Sequence, residues 1–508
     1  MALSATFLGE LTASDILSNT PITIRSAYFP NGINLSNRQI QTSLTIEHSR
    51  IENPGHEAFA AQNLRSTGGI SLVGSYLDGG VDLDAATVQG SVEFLSSTVL
   101  GGMYLYDIQT SRSLYLKSLT VCGSLNANDL EGKEVIMMQS FVGQPLEATR
   151  MHVDDDVRVL ASAFPTADFR ASRVANEFRV YSDRFNSISM ASASAGDLDI
   201  SRVVDKAGKS TDDRAANELA ASGRQYCRRR ARLVDESQGQ EPPPGVDLEA
   251  TRIEGNVIIA AGPFTRVDLS SANVGGSLEF KDSNTRLTWR SGGELVLKGA
   301  TLGSIDLSSP AAFPKLIDER DLTYTRLDDD PSSPLSSPRT PIGRATAYDS
   351  WLARGTGAAD FSVQPYDALA TVLRARGDAA DADRVLFDGA EAEEAHSRWL
   401  ARVRLFISHW TIGFGYKYWY ALIWTVVFVV IGRVVLLFTR RTLQQPGRIG
   451  WIYSLSTFVP VLQIGPKWFE DVRLEGFADV YFNIHRLLGY FFAAAVVAGV
   501  TGFLAQPK

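Results

Sequence analysis

The side chains able to do chemistry in this chain are few and scattered. Arg224, Arg228, Arg229, Arg230 and Arg232 crowd around Cys227. Guanidinium groups at this density suit lipid headgroup phosphates or nucleic-acid phosphates. They equally make a solvated helix face answering Asp212, Asp213, Asp235 and Glu236. Neighbouring arginines lower a thiol pKa, though a surface cysteine without a role fits the same residues. His152 with Asp154, Asp155 and Asp156 is the single polar knot that resembles a metal site; a solvated loop between coils is the plainer account. The remaining histidines, His48, His56, His396, His409 and His485, lack metal-ligand spacing. Gly355-Thr356-Gly357 lacks the strand and helix of a nucleotide loop, and no Gly-x-Ser-x-Gly elbow occurs. No catalytic residue, cofactor or metal is expected.

A second set of polar residues lies among apolar runs. The stretches 419–438 and 487–504 are long and apolar, and about 20 such residues in a helix span a bilayer core. Arg433 interrupts the first run, where a charge marks function, a partner, or a side chain snorkelling to the interface. Ala494, Ala498 and Gly502 recur every fourth residue in the second, a spacing that lets helices approach closely. The connector carries Tyr453, Ser454, Thr457, Gln463 and Gly465. Its placement is similar to the pore loop of two-helix cation channels, with Tyr453, Ser454 and Thr457 matching pore-helix residue types and Gly465 near the start of a filter. No Thr-Val-Gly-Tyr-Gly run is present, so a carbonyl cage is unsupported. An interfacial helix is the alternative. Trp410, Tyr416, Lys417, Tyr418, Trp419 and Tyr420 make an aromatic and lysine cluster suited to the membrane boundary.

These residues must be carried by something. The chain has 508 residues, 44% hydrophobic, with net charge −8, enough for two or three domains and weakly contrary to nucleic acid as a partner. Two cysteines, Cys122 and Cys227, imply no disulfide framework and fit a reducing compartment. No signal peptide is visible in the first twenty residues, so the N-terminal part is expected in the cytoplasm, anchored in the inner membrane. The basic residues do not decide orientation: Arg440, Arg441, Arg448, Lys467, Arg473 and Arg486 in the connector face Arg398, Arg402, Arg404, Lys417 and Lys508 on the flanks.

Residues 1–310 repeat. Leu72, Leu83, Phe94, Leu105 and Leu116 follow one another at intervals of eleven, with Leu77, Val88 and Val99 between them. The apolar-x-apolar motif puts two side chains on one face of a short strand. One such strand cannot bury its face, but stacked copies can. An anchor every five to six residues suggests four sides and two motif copies per coil, with glycine or small polar residues at the corners. The pattern loosens through Val135, Leu146, Val157, Phe169, Phe178, Ile188 and Leu198. It returns at Val246-Asp247-Leu248, Val267-Asp268-Leu269 and Leu295-Val296-Leu297. Ala167-Asp168-Phe169-Arg170-Ala171 and Ser271-Ala272-Asn273-Val274 resemble the units of pentapeptide-repeat proteins, which implies a right-handed quadrilateral β-helix acting as a display surface. A β-sandwich shares part of this periodicity.

Around 205–245 the repeat breaks, with a helix over 214–233. A Pro/Ser-rich linker is expected over 311–364, and its aspartates 328–330 lack a calcium loop's partners. Pro365 opens a helical hairpin over 365–410, where Tyr366–Gly377 resembles one tetratricopeptide-type unit. The whole chain, through Tyr366–Gly377, Gly413–Tyr416 and Tyr453–Pro460, also resembles a group of bacterial membrane proteins with a β-helical N-terminal part and no established activity. The expectation is a mainly β chain. It has a solenoid, a helical hairpin and a 411–508 membrane domain with two transmembrane helices. It is a non-enzymatic anchor in the bilayer, homo-oligomeric, with a protein partner on the solenoid. An oligomeric ion channel is the alternative.

Overall fold

The computed structural model describes residues 2–3, 11–12, 20–181, 184–201, 211–230, 245–260, 264–280, 289–307, 312–328, 351–352, 361–397, 399–415, 419–438, 450–459, 474 and 476–500. The chain divides into two units, Met1–Thr356 and Gly357–Lys508.

The first unit is a β-solenoid of about 12 turns. In one sheet Ile22–Arg25, Leu44–Glu47, Ile70–Val73, Val92–Leu95 and Gln109–Lys117 stack in parallel. Their register places Ile24, Ile46, Leu72, Phe94 and Leu116 in one column. A second sheet stacks Tyr76–Asp82, Met103–Tyr104, Leu125–Asn126, Leu146–Glu147 and Thr166–Asp168. The eleven-residue interval is therefore half a coil. Leu72 and Phe94 lie in register, while the intervening Val81 pairs with Met103 on the other sheet. Ile70–Val73, Val92–Leu95 and Val157–Leu160 alternate between buried and half-buried residues, the pattern of strands with one face in a core. Phe29, Phe59, Phe94, Phe178 and Phe280 fill the interior. The parallel stacking excludes the antiparallel sandwich.

The corners carry small polar residues, as the sequence suggests, and also alanine, glutamine and arginine. Ala85, Asp107, Asp129, Arg150 and Ala171 occupy left-handed backbone conformations at φ 56°, 53°, 58°, 57° and 58°. Ser96, Ser118, Gln139 and Ala161 form a second such series. A left-handed non-glycine residue costs about 1–2 kcal/mol. The fold holds these through backbone bonds to the next coil, such as Ala85 N–H to Tyr106 O at 2.8 Å and Asp107 N–H to Asn128 O at 2.9 Å. Gly79 is a true glycine position. Its φ is +147°, and a Cβ would lie 2.6 Å from the His56 carbonyl.

Helix α1, Thr211–Arg230, matches the helix expected in the interruption. The coils close beneath it, since Ser187–Ser189 pairs with Gly245–Asp247 and Asp197–Ser201 with Val257–Ala260. The solenoid also runs past 310: Leu316–Asp318 pairs with Glu294–Val296, and Thr323–Asp328 with Thr301–Asp306. Its last coils carry an aromatic group, Phe280, Trp289, Phe313 and Trp351, with Phe313 and Trp351 ring centroids 4.9 Å apart. The Pro/Ser-rich segment 331–341 lies outside the described residues.

In the second unit, α2 (Gln364–Ala375) and α3 (Ala379–His396) form the expected hairpin. Gly377 turns it at φ +90°, and Tyr366 packs against Gly389. Helix α4, Trp399–Ile412, continues beyond the boundary at 410. It is held by a Glu394–His409 contact of 3.1 Å and by the Phe387, His409 and Phe414 rings. Helices α5 (Trp419–Phe438), α6 (Trp451–Phe458) and α7 (Phe477–Val500) complete the unit. Among the described residues, α5 is the one helix long and apolar enough to cross a membrane. The described part of the second apolar run, 487–500, belongs to the longer α7, whose first half includes Asp479, His485 and Arg486; 501–504 lie outside the described residues.

Candidate functional site

Two places gather the candidate residues. The first is the helical group α5–α6–α7. Leu436 of α5 packs with Tyr453 and Phe482, and Ala421 packs with Phe458 and Phe492. Low numbers on α5 thus meet high numbers on α7, so the two helices are antiparallel. The eight-residue α6 is wedged between them. At 1.5 Å per residue it is about 12 Å long, under half the span of α5.

The connector residues are consumed inside this packing. Ser454 Oγ donates to Val429 O at 2.9 Å, and Thr457 Oγ1 donates to Tyr453 O at 2.7 Å. Tyr453, Ser454 and Thr457 are all buried. Sequence reasoning passed over His485, which is 1% exposed and ringed by Phe428, Phe458, Tyr481 and Phe482. Its Nε2 lies 3.1 Å from Ser454 O and its Nδ1 3.3 Å from Tyr481 Oη. A carbonyl only accepts, so Nε2 carries the proton and Nδ1 accepts from the tyrosine. The arrangement ties α6 to α7.

Arg433 is half-buried, with Nη1 buried and without a hydrogen-bond partner among the described residues. Gln463 and Gly465 lie outside the described residues. Of the small-residue stripe, Ala494 is exposed, and the Ala498 side chain and Gly502 lie outside the described residues. Gly489 and Gly432 make close contacts with α6. A Cβ at Gly489 would fall 1.5 Å from Phe458 O, and one at Gly432 2.2 Å from Ser454 Oγ.

The second place is α1 on the solenoid. Leu219, Ala220, Gly223, Tyr226 and Cys227 share one helical face and cover Leu100, Cys122, Phe141 and Ala163. Gly223 is needed here, since a Cβ would lie 2.4 Å from the Phe141 ring. Arg184 donates to Asn217 Oδ1 at 2.7 Å. Cys122 and Cys227 are joined in a disulfide, 5.3 Å apart at Cα. This corrects the reading of two unlinked thiols and of Cys227 as a surface cysteine; both are buried. Arg224, Arg228, Arg229 and Arg230 are exposed, Arg228 and Arg229 turned away from the covered face and Arg230 at the angle of Gly223 and Tyr226, and Arg232 lies outside the described residues.

His152 and Asp154 approach at 3.4 Å, both exposed. No group of three metal-ligating side chains occurs among the described residues. Most rod arginines are spent on neighbours, as in Arg150–Asp129 at 2.5 Å and Arg320–Asp318 at 2.6 Å. Arg150 and Arg320 hold those two carboxyls below the usual range. Comparison with protein-family models, characterised proteins and solved structures finds no match to this chain.

Proposed function

We propose that this chain is a membrane-anchored, non-enzymatic β-solenoid that offers its coils as an interaction surface. The carrying observation is α5. Trp419, Leu422, Ile423, Val426, Val430, Val434, Leu437 and Phe438 are exposed along its length. A helix with so much apolar surface open to solvent is matched to lipid. Aromatic residues mark both ends of the span, Trp410 and Trp419 at one, Phe438, Trp451 and Phe477 at the other, as an interfacial belt requires. On this reading α7 is the second span, since its exposed Val480, Ile484, Leu487, Phe491 and Val497 give it an outward apolar face. Of the finer coil geometry, the four sides rest on the five-to-six-residue apolar step and the right hand on the resemblance to pentapeptide-repeat proteins.

The disulfide supports a solenoid facing an oxidising compartment, the reverse of the cytoplasmic placement expected from the sequence. The connector then lies on the cytoplasmic side, an orientation that the evenly divided basic residues neither favour nor oppose.

An oligomeric pore is the second reading, favoured by the half-length α6 between two long helices. Against it, Tyr453, Ser454 and Thr457 face into their own subunit rather than a shared path. Full-length protein reconstituted in vesicles with an ion gradient tests the choice. The scaffold gives no flux above empty vesicles. Flux that changes in Thr457→Val or Arg433→Gln would overturn it in favour of the pore.

A further inference from the structure

Helix α4 has one side that nothing among the described residues covers. Trp399, Val403, Phe406 and Trp410 are 71%, 49%, 53% and 56% exposed. At 3.6 residues per turn they fall within an arc of about 60°. One flank, a quarter turn from the stripe, is committed to the protein through His409, which contacts Glu394, meets the Phe387 ring edge-on and packs against Phe414. The helix is thus amphipathic, but its apolar stripe faces outward. Two of the four stripe residues are tryptophan, the side chain that favours the headgroup level. The helix sequence contains Arg402 and Arg404 and no acidic residue. Arg402 is exposed beside the stripe, with its guanidinium also donating to Ala395 O at 2.9 Å.

The stripe is continuous with the apolar span. Trp424 Nε1 of α5 donates to Trp410 O of α4 at 2.5 Å, so the end of α4 is fixed one turn into α5. We infer that α4 lies in the headgroup layer of the bilayer, its Trp399–Trp410 stripe sunk into the acyl boundary and Arg402 against anionic lipid. The continuity with α5 and the exposed positive charge of Arg402 beside the stripe select an anionic lipid surface over a protein groove. This rests on α5 being a membrane span.

The test uses full-length protein in vesicles, spin-labelled at single introduced cysteines; the native pair is bonded and does not react. Phe406→Cys reports the stripe and Val430→Cys, near the middle of α5, reports the span. The inference expects the Phe406 label to be accessible to oxygen and shielded from aqueous nickel, at a depth of about 5–10 Å. It expects deeper insertion when anionic lipid is added to zwitterionic vesicles, and loss of that increment in Arg402→Glu. A Phe406 label open to nickel while the Val430 label is lipid-exposed overturns the inference alone. A Phe406 label shielded from both reagents shows a protein contact and overturns it too. If Val430 itself is open to nickel, the anchoring reading fails first. Insertion that ignores lipid charge overturns the anionic assignment.

Discussion

Cys122 and Cys227, 105 residues apart in sequence, are bonded across the joint between a solenoid coil and α1. Apart from this bond, the helix is held by a short face of small residues, Ala220 and Gly223 between Leu219 and Tyr226. A cross-link closing a loop of this length is worth about 3–5 kcal/mol in the chain-entropy model. Reduction with a dithiol transfers two electrons and leaves two thiols. Trypsin is then expected to cut at Arg224, Arg228 or Arg229 within minutes, while the oxidised protein resists there. Equal cleavage in both forms would contradict the role given to the bond.

Glu319 sits in a core column. It follows Asp318, which pairs with Val296, so it stands where the coil below has Leu297. It is 5% exposed, and burial pushes its pKa up to about 8, against a hydrogen bond from Trp351 that favours the carboxylate. Its neighbour Asp318 raises it further but is itself paired with Arg320. The unfolded chain ionises near 4.5 and the folded one near 8. The contribution to stability is therefore full below pH 4.5 and is lost as pH rises through 8. Glu319→Gln is expected to raise stability at pH 7 by up to about 3 kcal/mol and to flatten its fall over this window. Denaturant melts of the two proteins across pH check this. Parallel pH curves would contradict it.

Ser75 N–H donates to Ser97 Oγ at 3.1 Å, and Ser97 Oγ donates back to Leu72 O at 3.2 Å. Ser49 with Ser75 and Ser140 with Ser162 repeat the backbone-to-hydroxyl step. The buried serines thus form a ladder that satisfies backbone donors where the coil turns. Ser97→Ala leaves Ser75 N–H without its acceptor and is expected to cost about 1–3 kcal/mol. An unchanged melting midpoint would remove the ladder from the account.

Gly489 is where α6 meets α7. Since any Cβ there collides with Phe458 O, Gly489→Ala is expected to unseat α6 and break the His485–Ser454 bond. Amide exchange over Trp451–Phe458 in detergent should rise at least tenfold, the effect of about 1.4 kcal/mol. Protection equal to the parent protein would contradict the wedge.

Much of the solenoid was legible because one physical rule repeats. Leu72, Phe94 and Leu116 are spaced by the coil itself, and their burial follows. The corners were legible at Ser96, Asp107 and Ser118 and not at Ala85 and Arg150, which hold left-handed backbones through bonds to the next coil, a cause no local residue type reveals. The disulfide was invisible because the chain between Cys122 and Cys227 passes through several coils, so their separation carries no pattern. The boundary at 310 fell short because Pro310 and Pro314 look like a linker, although Ile317-Asp318 repeats the Val246-Asp247 unit. In the helical unit, α5 announced itself by composition. His485 and Gly489 did not, since their importance arises only when α6 folds back between the long helices.

The central claim is that a β-solenoid is held to lipid by α5. Membranes from cells producing the full chain, washed in alkaline carbonate, test it most directly. The account predicts that the protein stays in the pellet and is released by detergent alone, and that deleting both spans, residues 419–500, frees it. Recovery of the intact chain in the carbonate supernatant would contradict the account.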